Sequence, residues 1–149
     1  MANLTVTISE AIVINGAQRG SANNLTVVDI QDTFERVVTC VNSQTTTIAT
    51  FAASPYTSAG AIDVDRCKYV RVTNLDAAGW IELAIQTTTS SYTVLLTPGT
   101  SHILSQAEAV ALGEVGAPTF GTMLNLASIQ VTPVGVSYDP RVEIFTASI

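Results

Sequence analysis

Apolar and polar side chains alternate along much of this chain, and a period of two restricts it to β-structure. The alternation is clearest at residues 69–75 and 80–86, which are separated by a short turn at residues 76–79. Because successive side chains of a strand point to opposite faces, each run has one apolar face. With a further strand at residues 92–96, the pattern predicts an antiparallel three-stranded meander. We expect its apolar residues to face one core: Val70, Val72, Ile81, Leu83 and Ile85.

Similar runs recur along the whole chain, and turn signals separate them by about 8–12 residues, as in all-β folds. Asn15 and Gly16 form a hairpin signal, which we expect to be followed by a loop at residues 17–24 and a strand at residues 25–30. The one helical turn is predicted at residues 106–112. These patterns predict an all-β fold of about ten strands with minimal helix, an antiparallel β-sandwich that is jelly-roll-like.

The length and charge of the chain restrict its domain count and its partners. At 149 residues we expect one domain, residues 1–149, in which residues 1–14 are either an N-terminal arm or the first strand. The 6 Lys and Arg against 12 Asp and Glu give a net charge of −6. This charge argues against nucleic acid and anionic membranes as partners, because both require a cationic surface.

Targeting signals are not recognised in the sequence. Polar residues, Gly or Pro interrupt every long apolar run, so no transmembrane helix is predicted. The first residues lack the basic and apolar regions of a signal peptide, and we therefore expect synthesis and folding in a cytoplasm.

Charged residues are distributed unevenly. Residues 37–62, 83–107 and 115–138 contain no Asp, Glu, Lys or Arg, although an average surface would place several charges in each window. These windows cannot all be interior, because about half of their residues are Thr, Ser, Gln, Asn, Gly or Pro. We interpret them as surface covered by other chains. The alternative is a Thr-rich surface that is neutral but hydrated.

The residues that could carry catalysis are few. His102 is the only histidine, and Cys40 and Cys67 are the only cysteines. A nucleophilic site would need the imidazole beside a thiol and an orienting partner, and no local motif indicates this. A zinc site needs about four ligands, more than this set supplies. We therefore expect no catalytic residue, no cofactor and no metal site, and two buried thiols rather than a disulfide.

Two groups of acids could in principle bind Ca²⁺. Asp29, Asp32 and Glu35 have a three-residue spacing that suits a helical turn or a loop, and Asp63 and Asp65 form the second group. Neither group has the ligand pattern of a known calcium loop. We interpret both groups as solvated charges.

Tyr69 and Trp80 are predicted to share the mixed face of the meander. Such a face can be a carbohydrate platform, but aromatic residues are more often enriched in the cores of subunit contacts. We expect the interface residues to include five apolar or aromatic side chains: Leu4, Val6, Ile8, Tyr69 and Trp80.

The chain begins MANLTVTISEA, and residues 68–76 read KYVRVTNLD, followed by a strand and the turn LTPG at residues 96–99. These segments resemble small virion proteins of tailed bacteriophages. The resemblance implies a non-enzymatic all-β subunit, either a head decoration (cement) protein or a small tail or adaptor component. It also implies self-association, with a trimer as the expected form, and contact with the major capsid protein or other virion proteins. The implied location is the virion, after synthesis in the cytoplasm of the bacterial host.

Two other classes stay open. A carbohydrate-binding or adhesin module would use Trp80 on an exposed sheet face. A small cupin-like enzyme would need more than the single histidine present.

Overall fold

The computed structural model describes residues 2–53, 60–107 and 123–149, and all of the regular structure within these ranges is β. The all-β prediction is confirmed, with thirteen described strands in place of about ten. The strands are β1 (Ala2–Ser9), β2 (Ile12–Ile14), β3 (Ala17–Arg19), β4 (Ala22–Ile30), β5 (Asp32–Thr39), β6 (Thr46–Ala52), β7 (Ile62–Asp63), β8 (Cys67–Asn74), β9 (Trp80–Thr87), β10 (Ser91–Leu96), β11 (Ser101–Leu104), β12 (Leu126–Val134) and β13 (Arg141–Ser148).

Two sheets form the body of the protein. One has five strands in the order β10-β9-β12-β6-β7, and the other has four in the order β11-β8-β13-β5. Their strands pair antiparallel, apart from the short parallel pair β6–β7. One cluster of buried apolar side chains draws residues from both sheets, so the two sheets pack face to face in a sandwich-like arrangement.

The five residues expected to face one core are each 1% exposed or less, and that prediction is confirmed. The predicted meander is wrong, because β8 lies in the four-stranded sheet and β9 in the five-stranded sheet. Residues 76–79 therefore carry the chain from one sheet to the other, and of the three strands of the predicted meander β9 and β10 alone pair as a hairpin. Period-two alternation determines which face of a strand is buried, but strands that pair and strands that face each other across a core have the same pattern.

The crossing from β8 to β9 is held by the side chain of Asn74, which is 0% exposed. Its Nδ2 donates to the carbonyl oxygens of Gly79 (2.8 Å) and Leu96 (3.1 Å), and its Oδ1 accepts from the Asp76 amide (3.0 Å). Asp76 Oδ1 in turn accepts from the Gly79 amide (2.6 Å) and from the Tyr138 hydroxyl (2.6 Å). The buried amide is thus fully used, as a polar group without access to water must be.

Residues 2–30 form a long β-hairpin, in which β1 pairs with β4 and β2 pairs with β3. The hairpin signal is confirmed: Asn15 and Gly16 have φ of 51° and 76°, and positive φ at both central positions is required by a type I′ turn. The loop predicted at residues 17–24 is wrong, because β3 and the start of β4 occupy most of it. Hydrogen bonding to the preceding strands overrides the low β-propensity of the Asn, Ser and Gly residues there.

The first acid group, Asp29, Asp32 and Glu35, lies neither on a helical turn nor in a loop that brings the carboxylates together. Asp29 lies on β4 and has φ of 61°, at an irregularity where Val28 and Asp29 oppose Asn3 alone. Asp32 and Glu35 lie on β5. A β-bulge, in which one strand has an extra residue, explains the special backbone at this position.

Part of the secondary-structure prediction concerns residues outside the described ranges. The helical turn expected at residues 106–112 falls largely there, since the description stops at residue 107 and resumes at residue 123.

Candidate interaction surfaces

The base of the hairpin is anchored on the body. Ile30, Tyr69 and Ala147 form a second buried cluster, against which Leu4 and Val6 pack together with Val27, Phe145 and Ile149. Tyr69 and Ala147 are paired residues of β8 and β13, and they point away from the core that the two sheets share. The hairpin base therefore covers part of the outer face of the four-stranded sheet.

Beyond this base the hairpin leaves the body. Every residue from 7 to 26 is exposed, and we call this segment the distal arm. Its large apolar side chains are also exposed; Val13, for example, is 70% exposed. A monomer normally exposes such residues singly, so a consecutive set on one projecting element indicates a contact surface.

The apolar residues of the arm lie mainly on one face. The pairs Ser9↔Ala22 and Ile12↔Arg19 leave two residues on each strand between them, so the register continues through the interruption. Alternation then separates an apolar face from a face that carries Thr5, Thr7 and Val13. We call the first face the apolar stripe, and its apolar members are Leu4, Val6, Ile8, Ile12, Ile14, Leu25 and Val27. The polar Asn23, opposite Ile8, and Arg19, opposite Ile12, lie on the same face.

The edge strands of the arm have few features that prevent pairing with another strand. Among the described strands, β1 and β4 pair only with each other, and so do β2 and β3, which leaves one free edge on each side. Residues 2–28 contain no Pro or Lys, and Glu10 and Arg19 are their only charges. By contrast β5, at the edge of the four-stranded sheet, carries Asp32, Glu35 and Arg36. Charges and Pro are the usual devices that prevent pairing at an edge, and the arm has few of them.

Gly20 determines the backbone path at the interruption of the hairpin. It has φ of +114°, and a Cβ at this position would overlap the carbonyl oxygen of Glu10 on the opposite strand. Only glycine satisfies both conditions, so the middle of the arm depends on it.

A second surface is the outer face of the five-stranded sheet, which we call the neutral face. Trp80 is 48% exposed there and is paired with Val134, while Leu95 lies opposite Glu82, the one charge that β6, β9, β10 and β12 place on this face. The three charge-free windows contribute much of the sheet, because they include β6, β10, β12 and most of β9. Segments that are distant in sequence therefore form one neutral surface. Its other members are Thr47, Thr50, Ala84, Gln86, Ser91, Thr93, Ser128, Gln130 and Thr132.

The predicted interface residues lie in different places. Leu4 and Val6 are half-buried at the hairpin base, Ile8 is exposed on the distal arm, and Trp80 is exposed on the neutral face. Tyr69 is 3% exposed, under the hairpin of its own chain. Tyr69 and Trp80 lie on different sheets, so the shared face expected for them is wrong. The predicted interface residues do not include four further exposed arm residues, Ile12, Val13, Ile14 and Leu25, although residues 12–14 lie in the segment predicted as an N-terminal arm or first strand.

The thiols and the imidazole lie in separate structural settings. Burial raises the pKa of the Cys40 thiol to about 11 and also raises the pKa of Cys67, and both thiols are free. Protonated, buried thiols are poor nucleophiles. The hydroxyl of Tyr92 lies 3.2 Å from His102 Nε2, and burial lowers the pKa of that imidazole.

The second acid group is partly occupied by local contacts. Asp63 accepts a hydrogen bond from the Asp65 amide (3.1 Å) and lies 3.8 Å from Arg66 Nε. Within the described part of the chain, no three His, Cys, Asp or Glu side chains are placed to hold a metal ion.

The described residues include no helix that is long and apolar enough to cross a membrane. Comparison with models of known families, with curated proteins and with solved structures finds no match to this chain.

Proposed function

We propose that this protein is a non-enzymatic structural subunit of a phage virion, and within the virion a decoration (cement) protein that stabilises the capsid. The observation that carries the proposal is the distal arm, in which residues 7–26 are all exposed and apolar side chains project from unguarded strands. In a free monomer such an element is an aggregation hazard. In an assembled particle the same element is covered by its neighbours.

The arm can supply a useful binding energy. Ile8, Ile12, Ile14 and Leu25 of the stripe are 41–55% exposed, so about half of each side chain is left to bury. Complete burial of one such side chain contributes about 1.5–3 kcal/mol, which gives about 3–6 kcal/mol for one arm before ordering costs. Each contact is then modest, and many copies on one lattice act together through avidity.

The neutral face supports the same proposal. Across β6, β9, β10 and β12 it presents hydroxyl, amide and apolar groups with Glu82 as the one charge, although the whole chain has a net charge of −6. Burial of this face against another protein would desolvate almost no charge, and charges are the groups that are most costly to bury. Depletion of charge is also the compositional mark of interface cores.

We further propose that the body is an eight-stranded jelly roll, and the strand order supports this. Without the two-residue β7, the sheets read β5-β13-β8-β11 and β6-β12-β9-β10. Successive strands of this set change sheet at every step except β9 to β10. This alternation is the connectivity of two Greek keys, an architecture shared by viral capsid and lectin domains.

The proposed partners are further copies of the chain, with a trimer as the expected form, and the major capsid protein or another virion protein. The proposed location is the virion, after synthesis in the cytoplasm of the bacterial host. Neither nucleic acid nor membrane is a proposed partner, because the chain has a net charge of −6 and both partners require a cationic surface.

A carbohydrate-binding or adhesin module is the second candidate, and the exposure of Trp80 favours it. The indole lies on the same sheet face as Gln130 and Thr132, whose polar groups could bind sugar hydroxyls. This candidate predicts that Trp80→Ala abolishes binding to a glycan array and leaves shell binding unchanged. The decoration proposal predicts no glycan binding by the wild type.

The main test is co-sedimentation with undecorated capsid shells. In the test variant, Asn-Gly replaces residues 9–22, so that the pair Ile8↔Asn23 closes the hairpin and the base that covers Tyr69 is kept. We expect the wild type to bind and the variant to remain folded by circular dichroism without binding. Full occupancy of shells by the variant would disprove the role of the arm. Recovery of the intact protein only from purified tails would instead indicate a tail or adaptor component.

A further inference from the structure

We propose that the distal arm docks on a second copy of this chain, with its apolar stripe against the outer face of that copy's four-stranded sheet. This inference rests on the proposed self-association and names the surfaces that mediate it.

The first support is continuity with a contact that already exists within the chain. Leu4, Val6 and Val27 are the base of the stripe, and they pack on the outer face of the four-stranded sheet beside Tyr69 and Ala147. Within one chain, that face therefore already binds the base of the stripe. The distal members of the stripe have the same chemistry but no such surface in their own chain, since residues 7–26 are exposed throughout.

The second support is the part of the outer face that the hairpin base leaves open. Val37 on β5 is 52% exposed and Ile103 on β11 is 38% exposed. The register places them on the same side of the sheet as Tyr69, because Val37 pairs with Glu143 and Ile103 pairs with Arg71. Their direct partners Glu143 and Arg71 pair with each other at 3.0 Å. The hydroxyl residues on this side are Thr33, Thr39, Thr73 and Ser101. Exposed apolar side chains beside hydroxyl groups and a charge pair that is already satisfied suit a stripe of Ile and Leu.

The third support is charge. Two copies of a chain with net charge −6 repel each other in general. The arm avoids this, because its two charges, Glu10 and Arg19, sum to zero. The outer face also sums to zero, with the acids Glu35 and Glu143 against the bases Arg71 and Arg141, and Arg71 already pairs with Glu143 at 3.0 Å. These two surfaces can therefore meet without adding like charge to either.

The size of the arm is the fourth support. A stable interface uses about 20–30 residues from each partner. About half of the residues of the distal arm, residues 7–26, lie on the stripe side, so one docked arm supplies part of such an interface. Exchange of arms between copies would double the contact and would favour a closed assembly.

The test is photo-crosslinking from one position on the arm. Ile12→Cys places a thiol on the stripe, and Val13→Cys is the matched control on the opposite face. A thiol-linked benzophenone will react there selectively, because Cys40 and Cys67 are both 0% exposed. Mixing ¹⁵N-labelled and unlabelled copies distinguishes crosslinks between chains from those within a chain. We expect Ile12→Cys to crosslink to peptides that contain Val37 or Ile103 of another copy, with at least a fivefold lower yield from Val13→Cys.

Other outcomes overturn the inference. Crosslinks only between two arms, only within one chain, or equally from both positions would each exclude docking of the stripe on the sheet. Gel filtration separates this failure from failure of the proposed function. If the wild type is oligomeric and stays so when Ile12 and Ile14 are both changed to Ser, the proposed self-association stands but the proposed arm contact is wrong. If the wild type is monomeric at high concentration, the proposed self-association and the proposed arm contact are both wrong.

Discussion

Replacement of Asn74 by Ala tests whether the crossing between the two sheets depends on one buried amide. The side chain is 0% exposed and makes three hydrogen bonds, two as donor and one as acceptor. A hydrogen bond contributes about 0.5–1.5 kcal/mol net, and a buried carbonyl left without a donor costs about 1–3 kcal/mol. The carbonyls of Gly79 and Leu96 would each lose a donor, and the Asp76 amide would lose its acceptor. We therefore expect the free energy of unfolding to fall by about 3–5 kcal/mol.

Urea denaturation, followed by circular dichroism and by the fluorescence of Trp80, measures this loss. Asn74→Asp is an informative companion, because it keeps an acceptor for the Asp76 amide but places a carboxylate against two carbonyl oxygens. We expect this variant to be less stable than Asn74→Ala at pH 7. It should recover relative to Asn74→Ala as the pH falls, because a protonated carboxyl group can donate one hydrogen bond. A loss below about 1 kcal/mol for Asn74→Ala would show that water reaches the two carbonyls, and the reasoning would fail.

Three further predictions concern the core, the pH dependence and the arm. Leu83→Ala should lower the free energy of unfolding in urea titrations by about 2–5 kcal/mol, because it leaves a cavity in the core. Glu82→Ala, at the exposed neighbouring position, should change it by less than about 0.5 kcal/mol. Equal losses would contradict the faces assigned to these two residues. Burial lowers the pKa of His102 in the folded state, so as the pH falls the unfolded chain is protonated before the folded one. The neutral imidazole should therefore stabilise the fold above about pH 6.5 and lose this contribution as the pH falls below that value. In His102→Gln the free energy of unfolding should lack this pH dependence when it is measured between about pH 7.5 and 5. If the two proteins differed by the same free energy at every pH in that range, the prediction would be refuted. Gly20→Ala should leave the melting temperature of the body unchanged but weaken shell binding, since the new Cβ overlaps the Glu10 carbonyl oxygen; normal binding would show that the arm tolerates another backbone path.

The sequence patterns indicate local geometry better than they indicate strand partners. The alternation around Val72 and Leu83 correctly predicts their burial, and Asn15 with Gly16 correctly predicts a two-residue turn. Pairing is different, because hydrogen bonds between backbones leave little trace in side-chain pattern. The strands that contain Val72 and Leu83 therefore looked adjacent, although they face each other across the core.

The surfaces show the same limit. Charge-free windows predict a neutral surface, and the structure brings them together on one sheet face around Trp80. The burial of Tyr69 could not be predicted, because it depends on where residues 2–30 fold back over the sheet. The length of the arm was also missed, since Gln, Arg, Gly, Ser and Asn between residues 18 and 24 are typical of loops.

The continuous register of the hairpin makes the reach of the arm adjustable. Each strand residue adds about 3.3 Å, so inserting or deleting two residues on both strands changes the reach by about 7 Å. Such a change keeps Ile12 and Ile14 on the same side and keeps the type of pair that closes the Asn15–Gly16 turn. A change of one residue on each strand would instead turn the distal stripe to the opposite side. The reach of the arm and the side to which its stripe points are thus separate properties, since the length can change in steps of two residues while the stripe and the body keep their orientation.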